Sequence, residues 1–178
     1  SRFYGLSSEK FNMLKPYIQI SEAFRRKQDT LHFIKKAEKD TLAVYKYPEG
    51  TLVDLNEADT TELKKIPGIG SGIARMIVAY RKRLGGFYDM AQLKEVNYVD
   101  EDMLRWFKLG NAPIHRINAN KAGLDKLRSH PYMNFYQAKV IIEYRRKKGK
   151  LKSLSQLSLY EEFTEKDLER LSHYLAFD

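Results

Sequence analysis

The sequence predicts an all-α protein assembled from tandem units of about four short helices each. Three observations carry this expectation. Apolar residues recur at three- and four-residue intervals, and alternating strand-type runs are almost absent. The chain matches itself when displaced by 64 positions. Proline and glycine interrupt the helical pattern at related places in each copy, where they stop helices or free the backbone for tight turns.

The repeat aligns Asn56 with Asn120, Leu63 with Leu127, Pro67 with Pro131, Ala74 with Ala138, Ile77 with Ile141, Tyr80-Arg81 with Tyr144-Arg145, Gly85 with Gly149, Gln92-Leu93 with Gln156-Leu157 and Leu104 with Leu168. It divides most of the chain into units 53–114 and 115–178. At the N-terminus, Leu6–Phe11 with Leu14 and Tyr17-Ile18 resembles Phe163–Leu168 with Leu171 and Tyr174-Leu175 once one residue is skipped. Residues 1–20 are therefore expected to be the tail helix of a truncated N-terminal unit. Residues 21–52 fit no repeat and read as a charged, partly helical linker, with helix over Glu22–Leu42 and an apolar stripe at Leu31, Ile34 and Ala37.

Composition narrows the function. The 178 residues carry a net charge of +9, which favours polyanionic partners, nucleic acid first and acidic membrane surface second. The chain has no cysteine, which excludes disulfides, a zinc finger and a thiol nucleophile. No run approaches the ~18 apolar residues of a membrane span. The chain does not begin with Met and is expected to be an excised or processed piece. Charge is segregated: +4 over 1–52, zero over 53–114, +9 over 115–152 and −4 over 153–178. Six basic residues and no acid lie between Lys64 and Arg83. Such a field reads as a binding face more readily than an even scatter does.

Within the first unit, Asn56 can cap a helix, with Asp59 and Thr60 as alternatives. Leu63 and Ile66 share a face, and Pro67 ends the helix because it lacks a donor and disfavours helical backbone before it. Gly68-Ile69-Gly70-Ser71-Gly72 forms a tight turn. A helix over Ser71–Leu84 follows, with Ala74, Ile77, Tyr80 and Leu84 facing inward and Gly85-Gly86 stopping it. Short helices are expected near Met90–Val96 and Glu101–Phe107.

The chemistry lies in the glycine turn. Backbone N–H groups of Gly68, Gly70 and Gly72 have no side chain to cover them, and the following helix aims the positive end of its dipole the same way. Together they suit a phosphate oxygen. Ile69 is expected to be buried, pinning the turn, while Lys64, Lys65 and Arg75 add positive charge around it. Backbone donors read phosphate and not bases, so binding is expected to be largely independent of sequence.

The pattern Asn56-x-Ala58-x4-Leu63-x2-Ile66-Pro67-Gly68-Ile69-Gly70-x3-Ala74-x2-Ile77-x2-Tyr80-Arg81, followed by Gly85-Gly86-Phe87 and Leu93, resembles the helix-hairpin-helix DNA-binding module in the form found in ComEA-type competence DNA receptors. The likeness covers 53–108 with good motifs and 117–178 with eroded ones. The layout resembles multi-repeat helix-hairpin-helix proteins of Bacteroidetes, which usually carry an N-terminal membrane anchor. The resemblance implies DNA as partner, in uptake or repair, with phosphate held by Gly68, Ile69, Gly70, Ser71, Gly72 and Arg75. It implies no cofactor beyond a monovalent cation on the carbonyls of the 66–70 hairpin. It also implies a bacterial protein anchored to a membrane through a segment absent from this chain. Other proteins remain open as partners, and no small-molecule substrate is expected.

The second unit departs from the pattern. Pro131-Tyr132-Met133-Asn134 replaces Pro67-Gly68-Ile69-Gly70, so this hairpin is not expected to hold phosphate in the family manner, and Asn97–Glu101 is expected to be structural. Yet this unit owns the strongest basic run, Arg145, Arg146, Lys147, Lys148, Lys150 and Lys152. That run is open between a phosphate-backbone patch and a helix end favoured by its dipole. Tyr80, Tyr144 and Trp106 are expected in the core, and His130 and His173 in surface or capping roles. Asp54, Glu57, Asp59 and Glu62 surround a helix start, where acids are favoured anyway, so no catalytic site is expected.

Overall fold

The computed structural model describes Ser8–Leu14, Tyr17 and residues 45–178. The chain divides into two compact units, Ser1–Val44 and Tyr45–Asp178. In the first, the described helix is α1, Ser8–Leu14, which falls within the expected tail helix. The stripe at Leu31, Ile34 and Ala37 and the helix over 22–42 lie outside the described residues.

The second unit holds both copies of the repeat. The first runs β1 (Val53–Asp54), α2 (Thr60–Leu63), α3 (Ser71–Leu84), a 3-10 turn at Met90–Glu95, α4 (Glu101–Leu104) and β2 (Phe107–Lys108). The second runs β3 (Ile117–Asn118), α5 (Leu124–Arg128), α6 (Phe135–Lys148), a 3-10 turn at Leu154–Gln156, α7 (Glu165–Ser172) and β4 (Leu175–Ala176). The helical expectation holds, and α3 has the bounds read from the sequence. The short strands escape periodicity because two residues are too few to alternate. They pair in parallel, Val53 with Phe107 and Ile117 with Leu175, tying each copy's first segment to its last.

The gapless register of 64 breaks inside the last helix of each copy. Trp106 O accepts from Val53 N–H as Tyr174 O accepts from Ile117 N–H, a spacing of 68. Helix α7 is four residues longer than α4. Four residues are about one helical turn, so the buried face is preserved. Met103 and Leu171 thereby occupy one role, each accepting the bond that precedes its strand.

Asn56 is not a helix cap; Asp59 is, accepting from Thr61 and Glu62 N–H. Asn56 instead spans the copy: its Nδ2 donates to Phe87 O at 2.9 Å and its Oδ1 accepts from Phe87 N–H at 2.8 Å. Asn120 does the same with Leu151, at 2.8 Å in both directions. The repeated arginine is a second clamp. Arg81 Nη1 donates to Leu55 O and Ala58 O, and Arg145 Nη1 donates to Ala122 O. Gly85 closes α3 with φ +92°, and a Cβ there would lie 2.4 Å from His115 O, so both conformation and space require glycine.

Each copy contains two hairpins of one design. The N–H of Ile69, Val99, Met133 and Phe163 donates to the carbonyl three residues back, at 3.2, 3.2, 3.1 and 3.1 Å. Ile69, Met133 and Phe163 are buried. Tyr98, at the crest of the second hairpin, has φ +66° where Gly68 has +83°.

The two copies are joined by a polar and aromatic seam. Tyr174, from the second copy, is fully buried against the first core and donates to Gly86 O at 2.9 Å. Gln92 Nε2 donates to the hydroxyls of Tyr132 and Tyr174. Glu95 accepts from the hydroxyls of Tyr80 and Tyr132 and pairs with Arg170 at 3.4 Å. Burial raises the Tyr132 hydroxyl to about 12, so it stays a donor. Trp106 and Tyr144 are buried and Tyr80 is half-buried, as expected of core positions.

His130 corrects the expectation of a surface or capping role. It is 2% exposed, with Nε2 3.0 Å from Leu84 O and Nδ1 accepting from Tyr132 N–H. This pair of contacts fits the neutral imidazole with its proton on Nε2. Burial lowers its pKa from 6.5 to about 4. His173 does sit at a helix end, as the C-cap of α7, stacked on Tyr88 with ring centroids 3.8 Å apart.

Two outcomes follow for stability. Replacing Asn56 with Ala leaves the Phe87 N–H and C=O without their partner and should cost about 2–3 kcal/mol in urea unfolding. Between the folded and unfolded pKa of His130 the unfolded chain binds more protons, so stability falls as pH falls. From pH 7 to about 4.5, wild type should lose about 2 kcal/mol more than His130→Gln, read by denaturant titration at each pH. Parallel pH profiles would show that His130 is charged in the fold.

Candidate nucleic-acid interface

Helix α2 ends at Leu63, and the chain turns through Lys64–Pro67 to present Gly68 at φ +83°. Leu63 and Ile66 are fully buried on one side of this turn and Ile69 is 1% exposed on the other. With its apolar side chains drawn inward, the turn leaves Gly68, Gly70, Ser71 and Gly72 exposed to solvent. A Cβ on Gly70 or Gly72 would meet no atom within 4 Å. A Cβ on Gly68 would press on Met103 Cε at 3.2 Å. The glycine bend is therefore open.

The backbone N–H groups of Gly68, Gly70, Ser71 and Gly72 donate to no protein acceptor among the described residues. Gly70 is the N-cap of the 14-residue α3 and supplies no capping side chain. Unsatisfied donors and the dipole of α3 thus coincide at one exposed point. Arg75 lies one turn into the helix, exposed, with Nε on Ser71 O at 3.1 Å. Lys65 leans over the Tyr47 ring, 5.5 Å from its centroid, and Lys64 is half-buried beside it. The structure thus brings together the residues read from the sequence for this hairpin, Gly68 to Gly72 with Lys64, Lys65 and Arg75.

The other three hairpins are closed by their own side chains. Asp100 Oδ1 accepts from Met103 N–H at 3.0 Å. Asn134 and Gln137 exchange bonds at 2.9 Å each way, which uses the Asn134 N–H, the counterpart of Gly70 N–H. The Tyr132 N–H, the counterpart of Gly68 N–H, goes to His130. Thr164 and Asp167 form the same reciprocal box at the fourth hairpin. The Tyr132 hairpin also docks on the first copy through Gln92, Glu95 and Leu84 O; the first two contacts use the hydroxyl of Tyr132, which stands where the first hairpin has Gly68. Asn134 adopts extended backbone at φ −87°, not the left-handed conformation its side chain permits.

The basic run lies elsewhere. Arg145, Arg146, Lys147 and Lys148 occupy the last turn of α6. Over 14 residues that is about 20 Å along the helix from the Asn134 cap. Arg145 is partly committed to Ala122 O, Lys147 pairs with Glu143 at 3.4 Å, and Lys148 lies over the Tyr144 and Tyr160 rings. Arg146 and Lys150 are exposed and line a shallow pocket with Asn120, Arg145 and Gly149. The run surrounds no hairpin.

Sequence reasoning missed Lys46, which falls in the stretch read as linker. Residues 45–52 instead belong to the unit of the first copy: Tyr47 packs on its core and donates to Lys65 O at 2.8 Å. Lys46 Nζ reaches Lys64 O at 2.6 Å, Ile66 O at 3.1 Å and Ile69 O at 3.3 Å. Only the expectation of a cation on these carbonyls pointed toward this place. Among the described residues no group of three or more His, Asp or Glu can hold a metal ion. No helix among them is long and apolar enough to cross a membrane.

Paired copies of two short helices joined by a glycine-type hairpin define a class of module associated with DNA binding that does not depend on sequence. The chain belongs to the helix-hairpin-helix motif family, which it matches over residues 49–106 and 113–176. It is also similar to the endonuclease/exonuclease/phosphatase family domain-containing protein 1 of Mus musculus, at 27% identity over 154 residues, covering 68% of this chain and 27% of that one. The Xenopus laevis counterpart is 25% identical over 146 residues, covering 68% and 26%, and the Danio rerio counterpart 28% identical over 127 residues, covering 59% and 23%. The chain thus spans about a quarter of the length of these relatives. No solved structure matches it.

Gly70→Asn copies the cap at Asn134 and separates folding from binding. The space for it is open. The variant should be as stable as wild type, or a few tenths of a kcal/mol more so. It should bind DNA at least about tenfold more weakly, because the new side chain, capping the Ile73 N–H as Asn134 caps the Gln137 N–H, fills the space beside the Gly70 to Gly72 amides where a phosphate would sit. Unchanged DNA affinity in the folded variant would remove this hairpin from the interface.

Proposed function

We propose that this chain binds DNA without regard to base sequence, and that the Pro67–Gly70 hairpin holds the sugar-phosphate backbone. One observation carries the reading: of the four described hairpins closed by the same backbone bond, this is the one whose helix starts on an uncapped glycine with its amides exposed. A phosphate oxygen seated there accepts from the Gly70 to Gly72 amides at the positive end of α3, with Arg75, Lys64 and Lys65 as flanking charges. The exposed Arg146 and Lys150, with Lys147 and Lys148, add long-range attraction from the second copy.

The chain acts by binding and not by catalysis. The acids near the hairpin support this: Asp59 is spent as a helix cap, its carboxyl held below the usual range by the Glu62 N–H, and Glu101 pairs with Lys94. The ComEA-like motif favours a role in DNA uptake, and DNA repair is the other process that needs such a grip. By the same likeness the full-length protein is a bacterial, membrane-anchored, multi-repeat protein of the Bacteroidetes type, which fractionation of cells expressing the complete reading frame tests.

A second reading is a protein-interaction scaffold. The three capped hairpins favour it, since a repeat can keep its fold after losing its ligand. Titration of random-sequence duplex DNA decides. With about four to six phosphates neutralised, log K against log salt should slope at about −4 to −5. Plasmid incubated with protein and Mg²⁺ or Mn²⁺ should remain intact. Failure to bind at about 50 mM salt and tens of micromolar protein would favour the scaffold.

A further inference from the structure

Lys46 lies outside both helices of the hairpin it touches, yet its ammonium is placed where three carbonyl oxygens converge. The acceptors are Lys64 O, Ile66 O and Ile69 O, at 2.6, 3.1 and 3.3 Å. They come from both sides of the turn, two before Pro67 and one after Gly68. Neutral backbone oxygens around a single positive charge are the donor set that suits an alkali cation, whose hydration shell carbonyls can replace. A divalent ion would call for carboxylates. Nothing acidic contributes here, and the ammonium's three N–H groups match three oxygens.

The seat bears directly on the exposed amides. The Ile69 carbonyl and the Gly70 N–H belong to one peptide unit. Described peptide bonds are all trans, so these two groups point in opposite directions. Holding Ile69 O inward on Lys46 aims Gly70 N–H outward. A cation on the oxygen also polarises the peptide and strengthens its N–H as a donor.

We propose that the Lys46 ammonium is a built-in cation occupying a monovalent-cation seat in this hairpin, and that removing it turns the seat into a binding site for K⁺ or Na⁺. Lys46 is then a positioning residue: it orients and charges the Gly70 amide without touching the phosphate. Its consequence for DNA rests on the function proposed above; the seat itself does not.

The test compares wild type with Lys46→Met and Lys46→Gln in KCl and in N-methyl-D-glucamine chloride at equal ionic strength, since the organic cation is too bulky to enter. Thermal unfolding and DNA affinity are both read. Wild type should give the same Tm and the same affinity in the two salts. In the organic salt both variants should unfold at lower temperature and bind DNA about tenfold more weakly, and KCl should restore most of each loss. Rescue by a specific ion is a response that a surface lysine with a merely structural or long-range role would not produce.

Variants indifferent to the choice of salt, or unfolded in both, would overturn the proposal. So would a wild-type Tm that rises with KCl, which would mean the seat is open to an ion. If wild type fails to bind DNA while the Tm of the variants still responds to K⁺, the DNA reading falls and the cation seat stands.

Discussion

Everything in the hairpins depends on where the residue after the crest sends its side chain. Ile69 goes into the core, and its N–H closes the turn on Ile66 O. Once those two groups are committed, the amides that follow have only solvent to face. The same constraint operates at Met133 and Phe163, and the same closing bond at Val99. Every hairpin therefore generates unsatisfied donors at a helix start, and what differs is the group that answers them. Asp100, Asn134 and Thr164 answer from within the chain; Gly70 leaves them without a side-chain partner.

One copy serves the other. The Tyr132 hairpin has no glycines and has partners on the first copy: Gln92, Glu95 and, through His130, the Leu84 carbonyl. Leu84 closes α3, so the second copy braces the far end of the helix whose start carries the open amides. Tyr174 reinforces this brace from within the first core. The second copy is thus a structural support for α3 as well as a carrier of positive charge. Lys46 holds the same hairpin through the carbonyls of Lys64, Ile66 and Ile69.

Much of this was legible in the sequence because it is local. The bounds of α3 follow from Gly70 before it and Gly85 after it, and the burial of Ile69 follows from an isolated apolar residue between two glycines. The repeat was visible because clamp residues recur at fixed spacing, although their roles were not: Asn56 read as one of three cap candidates and Arg81 as one of six clustered basic residues, and each instead holds backbone groups more than twenty residues away. Arg145, read with its run as either a phosphate patch or a dipole-favoured helix end, likewise donates to the Ala122 carbonyl.

Sequence alone determined the segregation of charge, which is a sum over residues, and the helical units and the turn with free amides, because each of these arises from neighbours within about one helical turn. Tertiary structure alone decided which polar groups are spent inside the fold. His130 becomes a buried neutral donor, Tyr132 a brace and Lys46 a cation under the hairpin only when distant segments meet. Hydrogen bonds between remote groups leave no periodic trace in the chain. Whether a buried polar group is satisfied is settled by three-dimensional proximity, which local pattern does not encode.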